Sequence, residues 1–195
     1  MRFAIAVLLL VLFVSVAAAN PLPVWPAVSL TFTTSGAYEP EIYPAPYTNN
    51  SVYLMVTCGQ GDEETSISAI SFAFGHQEGS VFPTGYASLI SGAIIVGDWE
   101  YGITLSPTEP ITTSQVLVAR MDFLYMGVPG YITVEDHPDY PRSVITAGGW
   151  NFPYCLVNHA GIGQPHQVVD EYCWFCEPMN PVENASWGVI KALYR

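Results

Sequence analysis

The feature that most constrains this chain is a pair of alternating apolar runs between residues 52 and 74. The first run covers residues 52–57 and the second covers residues 70–74. An acidic, glycine-containing connector over residues 58–65 separates the two runs. Alternation with a period of two puts every second side chain on one face of a β-strand. The pattern therefore predicts two adjacent antiparallel strands with one face in a core.

Other short apolar runs recur at close spacing, and the segments between them are rich in glycine and proline. Further strands are predicted over residues 28–33, 93–96, 99–105, 115–125, 131–134, 143–146 and 168–169. Helical spacing is confined to residues 185–195, where Asn184 or Ser186 can cap a short C-terminal helix. Many short strands joined by turn-rich loops are typical of an all-β fold, an antiparallel β-sandwich.

The first nineteen residues have the pattern of a secretory signal peptide. A basic start at Arg2 precedes an apolar run over residues 3–16, and three small residues end at Ala19. This arrangement predicts cleavage between Ala19 and Asn20, which leaves residues 20–195 as one domain. The mature chain is then expected to be secreted, periplasmic or at the cell surface, with no membrane insertion after cleavage.

The charge balance excludes one class of partner. The chain has 17 Asp and Glu against 5 Lys and Arg, a formal net charge of −12. Binding to nucleic acid depends on neutralising phosphates with cationic side chains, so nucleic acid is not expected as a partner. Acidic oxygens suit Ca²⁺, but acidic surfaces also keep exported proteins soluble. We expect no cofactor, with Ca²⁺ and Zn²⁺ as the alternatives.

The four cysteines, Cys58, Cys155, Cys173 and Cys176, are an even number in a chain that is predicted to be exported. Such a count points first to disulfides. The favoured pairing joins Cys58 to Cys155 and Cys173 to Cys176. The alternatives join Cys58 to either member of the later pair.

A metal or redox site is the competing hypothesis for the same region. The spacing of Cys173 and Cys176 suits two ligands of one Zn²⁺ ion, and Cys155, His159 and His166 lie upstream as further candidates. Thiol redox catalysis is less favoured, because nearby acidic side chains raise the pKa of a thiol: Asp170, Glu171 and Glu177.

Exposed tyrosines are the candidate ligand-binding residues. Tyr43, Tyr47 and Tyr140 each lie near prolines in predicted loops. Aromatic rings in such loops can anchor a protein partner or stack on a sugar. The residues suited to acid–base chemistry are Asp98 with Glu100, and a cluster of Glu135, Asp136, His137 and Asp139 in one predicted loop. No catalytic motif accompanies them. The chain is therefore predicted not to be an enzyme.

Two parts of the chain resemble known groups of proteins. The ending from Trp187 and Gly188 through Lys191 and Leu193 to Tyr194 is similar to the tail of a group of exported, uncharacterised bacterial proteins. The body from Val28 to Ser143 follows an order of strands similar to that of the same group. Its pattern of an extended strand, a loop and a strand with the order small residue, Ile, Ser, aromatic resembles cohesin-like sandwiches, so the resemblance implies a cohesin-like or jelly-roll-like fold. The resemblances imply a fold and no catalytic residue. The hypothesis that follows is a non-enzymatic binding or structural protein, with a zinc or thiol-redox site and a carbohydrate-binding module as alternatives.

Overall fold

The structure is a computed structural model that describes residues 26–35, 37–57, 66–99, 101–113, 115–137, 143–146 and 151–169, with the backbone alone for 143–146 and 151–153. The described residues form fourteen strands and no helix. In chain order the strands are β1 Ala27–Thr31, β2 Glu41–Ile42, β3 Asn49–Thr57, β4 Ile67–His76, β5 Val81–Ser88, β6 Ile94–Asp98, β7 Gly102–Ser106, β8 Gln115–Tyr125, β9 Gly130–Glu135, β10 Ser143–Thr146, β11 Asn151–Pro153, β12 Cys155–Leu156, β13 Asn158–Ile162 and β14 Gln167–Val168.

The strands form two sheets. The first sheet has the order β12-β1-β3-β8-β5. In the second sheet β4 is central, with β9 and β10 end to end along one edge and β7 followed by β6 along the other. Strand β13 continues this sheet beyond β9, and β14 and β2 both pair with β13. The β-sandwich predicted from the sequence is therefore present.

The expectation of a purely antiparallel sandwich is wrong, because both sheets are mixed. Strand β12 runs parallel to β1, and β13 runs parallel to β2. Parallel neighbours need a long connection between them, whereas antiparallel neighbours need only a turn. Here more than a hundred positions separate β1 from β12 along the chain. The alternation of side chains reports which face is buried and carries no information about the direction of a neighbouring strand.

The two alternating runs that dominate the sequence are not adjacent strands. Strand β3 lies between β1 and β8 in the first sheet, and β4 belongs to the second sheet. Each strand is flanked on both edges, so neither needs the other as a hydrogen-bonding neighbour. The connector over residues 58–65 is longer than the two-residue turn of a tight hairpin. The prediction that each strand has a face in the core is correct, although residues 70–74 of β4 are buried on both faces. The prediction of pairing is wrong.

The core lies between the sheets and consists of the alternating side chains of both. Burying one large apolar side chain contributes about 1.5–3 kcal/mol to folding. The largest fully buried side chains come from both layers: Leu30, Leu54, Met55, Ile67, Ile70, Phe72, Ile103, Leu105, Met121, Phe123, Ile132 and Leu156.

Strand β1 is held on its outer edge by a segment from the far end of the described chain. The backbone N–H of Val157 donates to the carbonyl oxygen of Val28 at 2.8 Å. The fully buried side chain of Asn158 then continues the ladder: its Oδ1 accepts from the Leu30 N–H at 3.0 Å, and its Nδ2 donates to the Leu30 carbonyl at 3.1 Å. One amide side chain thus satisfies both backbone groups of a buried residue.

Several parts of the domain prediction lie outside the described residues. These are the signal peptide over residues 1–19, the C-terminal helix from about residue 185, and the tail with its Trp-Gly motif. Within the described ranges, no helix is long and apolar enough to cross a membrane.

Candidate binding surface

Strand β6 is the longest strand among the described residues in which every residue is exposed. It has three consecutive β-branched side chains, Ile94, Ile95 and Val96, whose exposed fractions are 63%, 41% and 63%. The strand pairs with β7 on one edge, and no described strand pairs with its other edge. A consecutive apolar run usually predicts a fully buried strand. Its exposure here marks β6 as a candidate interaction surface.

The register of β6 against β7 separates its side chains between two faces. Ile94 lies opposite Ser106 and Val96 lies opposite Thr104, so these four side chains share the outer face of the sheet. On that face the hydroxyl of Thr104 lies 2.8 Å from the hydroxyl of Ser71 on β4. The outer face therefore has apolar side chains at its edge and small hydroxyl side chains beside them.

The hairpin that presents β6 is anchored by stacked aromatic rings. The Trp99 ring lies 5.8 Å from the Tyr86 ring with an angle of 4° between the planes, and 6.4 Å from the Phe74 ring at 22°. The Trp99 carbonyl also accepts the Phe74 N–H at 3.2 Å. Aromatic pairs of this kind add about 0.5–1.5 kcal/mol beyond the area that they bury. The hairpin is thus fixed to β4 and β5 while its edge stays open.

The other edge strands in the described part of the chain are short or interrupted. Strands β12 and β14 have two residues each, and β11 has three and ends in Pro153. Strand β5 contains Pro83 and a register shift between Pro83 and Gly85. Short strands, proline and bulges are the usual features that stop an edge from pairing with another chain. Among the described edge strands, β6 alone is five residues long and has no proline and no bulge.

Acidic side chains lie near both ends of β6. Asp98 is exposed at the end of the strand. Glu109 is exposed in the loop after β7, and its neighbour Thr108 lies within 3.8 Å of the position a side chain would take at Gly92, just before β6. The one Lys or Arg in the described ranges is Arg120 on β8, which forms a salt bridge with Asp122 at 3.0 Å in the other sheet.

The tyrosines predicted to bind a ligand lie in a different place. Tyr43 and Tyr47 are both exposed in the loop between β2 and β3, and Tyr140 lies outside the described residues. Tyr47 has a φ of 60°, a conformation that is uncommon for residues other than glycine. Tyr47 also donates its backbone N–H to the Tyr125 carbonyl at 2.7 Å, which fixes the loop to β8. A role for these rings in ligand binding stays a prediction.

The predicted cysteine and histidine site is described only in part. Cys58, Cys173 and Cys176 lie outside the described residues. Cys155 is half-buried on β12 and is not a free thiol, which disfavours it as a metal ligand. The pairing of the cysteines stays a prediction. Across the described ranges, no group of three or more His, Cys, Asp or Glu side chains could hold a metal ion.

His166 has a carboxylate partner instead. The Glu41 Oε2 accepts from the His166 backbone N–H at 3.1 Å and lies 3.1 Å from the His166 ring Nδ1. The Tyr38 ring packs edge-on against the imidazole at 6.1 Å. These two hydrogen bonds from His166 hold the pKa of Glu41 below its ordinary value. The pair ties β2 to the loop before β14.

The aromatic rings in the part of the chain that the structure describes are divided between the core and the surface. Tyr125 and Tyr154 are buried, and Tyr86 and Trp99 pack against the core in the hairpin stack. Tyr101 is 77% exposed in the turn between β6 and β7, so a carbohydrate-binding role stays a prediction. Among the acid–base candidates, Asp98 and Asp136 are exposed and His137 is buried, whereas Glu100 and Asp139 lie outside the described residues.

The sequence prediction placed a strand at residues 93–96 but gave it no functional role. One signal was available, since three β-branched residues stand together just before Gly97 and Asp98 in a short strand without alternation. Whether such a strand lies inside a sheet or at its edge depends on partners distant in sequence.

No protein-family model matches the chain, and no curated protein matches it. Solved structures do match, and the similar structures include cohesins. A type I cohesin–dockerin complex from Clostridium thermocellum matches with a TM-score of 0.52 at 7% identity, over 71% of this chain and 97% of that one. A type II cohesin domain from the cellulosome of Acetivibrio cellulolyticus matches with a TM-score of 0.51 at 11% identity, over 71% and 95%.

A non-cellulosomal cohesin from the archaeon Archaeoglobus fulgidus matches with a TM-score of 0.51 at 7% identity, over 76% of this chain and 94% of that one. At identities this low, the likeness concerns the fold alone. The chain has a β-sandwich of mixed sheets that resembles the cohesin fold, as the sequence resemblance implied.

Proposed function

We propose that this chain is an exported, non-enzymatic protein-binding module, and that the β6–β7 hairpin is its binding surface. The observation that carries the proposal is the exposure of Ile94, Ile95 and Val96 on an edge strand that is held rigidly by the Trp99 stack. The fold supports the same function, because one of the similar structures is a cohesin in complex with a dockerin, another protein. Export rests on the signal-peptide pattern of residues 1–19.

The exposed side chains are of the type that contributes to protein interfaces. Burying a whole Ile or Val side chain is worth about 1.5–3 kcal/mol, and these three retain much of that surface in contact with water. Pairing with β7 already orders the backbone of these residues. The hairpin therefore loses little conformational freedom when a partner binds. A small apolar cluster on a rigid element is a suitable centre for an interface.

The arrangement of charged groups favours binding over catalysis. Glu41 with His166 and Arg120 with Asp122 form two separate surface pairs, and neither pair lies on the β6–β7 hairpin. The Glu41 carboxylate connects β2 to His166 in the loop before β14. Arg120 and Asp122 lie on the same strand, β8, and the Asp122 carboxylate also accepts the hydroxyl of Ser51 on β3 at 2.6 Å. Both carboxylates therefore have a structural role.

Site-specific photo-crosslinking tests the proposal. A benzophenone amino acid is placed at Ile94 or at Val96, and the full-length protein is irradiated in the cells that produce it. The matched control is Val168 on β14, an edge position with a similar exposed fraction, 59%. We expect the same crosslinked protein from both β6 positions and none from Val168. Absence of a crosslink at β6, or an equal crosslink at Val168, contradicts the proposed surface.

A further inference from the structure

We infer that the partner binds β6 by strand addition, as a new edge strand whose apolar centre is flanked by basic residues. The inference rests on the proposed function and specifies the chemistry of the partner. It follows from three observations on the described residues: an open backbone edge, an apolar middle and acidic ends.

The backbone of β6 offers hydrogen-bonding groups along its open edge. In an antiparallel pair, alternate residues direct their N–H and C=O groups toward the neighbouring strand, and the others direct them away. Among the described residues, β7 is the one hydrogen-bonded neighbour of residues 94–97. The backbone groups of these four residues that point away from β7 therefore have no partner in the described part of the chain, over about 13 Å. Peptides that bind in this mode gain affinity from the main chain and specificity from alternate side chains.

The other described edge strands are less suited than β6 to pairing with an added strand. Proline in β5 removes a backbone donor, and the adjacent register shift bends the strand out of line. Strands of two or three residues, as in β11, β12 and β14, provide too few groups for a stable pairing. Where the structure describes the edges, strand addition is thus directed to β6.

The side chains set the sequence of the added strand. Ile94 and Val96 share the outer face, so the residues that lie beside them in the new strand are expected to be β-branched or aromatic. Asp98 at one end and Glu109 near the other favour Lys or Arg at both ends of the incoming segment. The formal net charge of −12 also attracts a basic segment over a longer range.

The same charges disfavour a second copy of this chain as the occupant. Antiparallel pairing of two β6 strands would bring Asp98 of one copy toward the Glu109 end of the other. Two copies would also repel each other, because each has a net negative charge. Repulsion between like charges across a sheet destabilises the pairing. A basic partner is therefore preferred over self-association.

A peptide assay tests strand addition directly. The fluorescein-labelled peptide KRVTVTVRK is titrated with the full-length protein, and binding is followed by fluorescence anisotropy. Its controls are the acidic peptide EDVTVTVDE and two versions of KRVTVTVRK that are N-methylated on alternate amides, one version for each edge of the peptide strand. We expect the acidic peptide to bind at least tenfold more weakly.

N-methylation is expected to weaken binding at least tenfold on one edge of the peptide and hardly at all on the other, because an added strand uses one edge alone. On the protein side, Val96→Lys is expected to weaken peptide binding at least tenfold. Val168→Lys, the matched exposed position on β14, is expected to leave it unchanged.

Each other outcome overturns the inference. Equal tolerance of N-methylation on both edges means that the side chains dock without a backbone ladder. No binding of KRVTVTVRK at millimolar concentration rejects a basic strand, and crosslinks at Ile94 and Val96 would still support the proposed function in that case. Sedimentation that shows a dimer disrupted by Val96→Lys would assign β6 to a second copy. Loss of the crosslinks themselves rejects the proposed function.

Discussion

Replacing Asn158 with alanine is expected to destabilise the fold far more than the loss of one polar side chain normally does. Asn158 is fully buried, and its amide makes two hydrogen bonds to Leu30, which is also fully buried. The variant leaves the Leu30 N–H and C=O without these partners. A buried group that loses its partner costs about 1–3 kcal/mol.

The two groups together cost roughly 2–6 kcal/mol, and about 3 kcal/mol is expected once water enters the vacated space. For a chain of this size each kcal/mol lowers the Tm by about 2–4 °C, so the Tm of Asn158→Ala should fall by roughly 6–12 °C. Thermal unfolding followed by circular dichroism measures the shift. The control is Asn49→Ala on the exposed start of β3, where a change of about 0.5 kcal/mol or less is expected.

The conservative variant Asn158→Asp sharpens the test. The new carboxylate presents an oxygen, in place of the donor Nδ2, to the Leu30 carbonyl. Burial raises the pKa of such a carboxyl, so the protonated form is favoured in the folded state and can still donate. The variant should then be closer to wild type near pH 4 than at pH 7. A Tm of Asn158→Ala within about 2 °C of wild type would refute the reasoning.

Two further predictions concern the loops and the hairpin. The His166 hydrogen bonds hold the pKa of Glu41 down, so the stabilisation by this pair is present above the unfolded pKa and is lost as the pH falls through the lower folded pKa. The protection factor of the His166 amide against hydrogen exchange, which removes the intrinsic pH dependence of exchange, should therefore fall as the pH drops below the ordinary pKa of a glutamate, and Glu41→Gln should remove that dependence. Gly97→Ala should weaken the β6–β7 hairpin by about 1–3 kcal/mol, because φ is 104° and the new Cβ would meet the Gly102 carbonyl oxygen. Gly79→Ala is the control, since its φ of 78° carries similar strain with nothing within 4 Å; equal losses of stability in the two variants would contradict a role for the contact.

The parts of the fold that the sequence predicts well are those whose signals are local. Strand β8 has the predicted bounds, Gln115–Tyr125, because no proline or glycine interrupts its eleven residues. Arg120 and Asp122 share a face of β8, as the alternation along a strand requires, and they form the salt bridge there. Strand β10 also has its predicted bounds, Ser143–Thr146.

The parts that the sequence misses depend on partners distant in the chain. The sequence predicts no strand at β11, β12 or β13, because these strands are short and are ordered by pairing with β10, β1 and β9. The assignment of β3 and β4 to opposite sheets was missed for the same reason. Local alternation indicates a buried face and leaves the neighbouring strands undetermined.

The strand of the candidate surface could be predicted from the sequence, whereas its exposure could not. The sequence predicts that residues 93–96 form a strand, and the β-branched side chains of Ile94, Ile95 and Val96 are sufficient for that. Their exposure results from the position of β6 outside β7, at the end of the second sheet. That position is a property of the whole topology, so sequence patterns placed candidate binding residues at Tyr43 and Tyr47 instead.

The way in which β1 is held has a consequence for how the chain folds. Leu30 and Asn158 are 128 positions apart, so the outer edge of β1 stays unsatisfied in a growing polypeptide until most of the sequence has been made. Contacts between such distant residues slow folding, because a long loop must close before they can form. The first strand is thus among the last to be completed, and a ribosome-bound fragment that stops before residue 155 should remain susceptible to proteases.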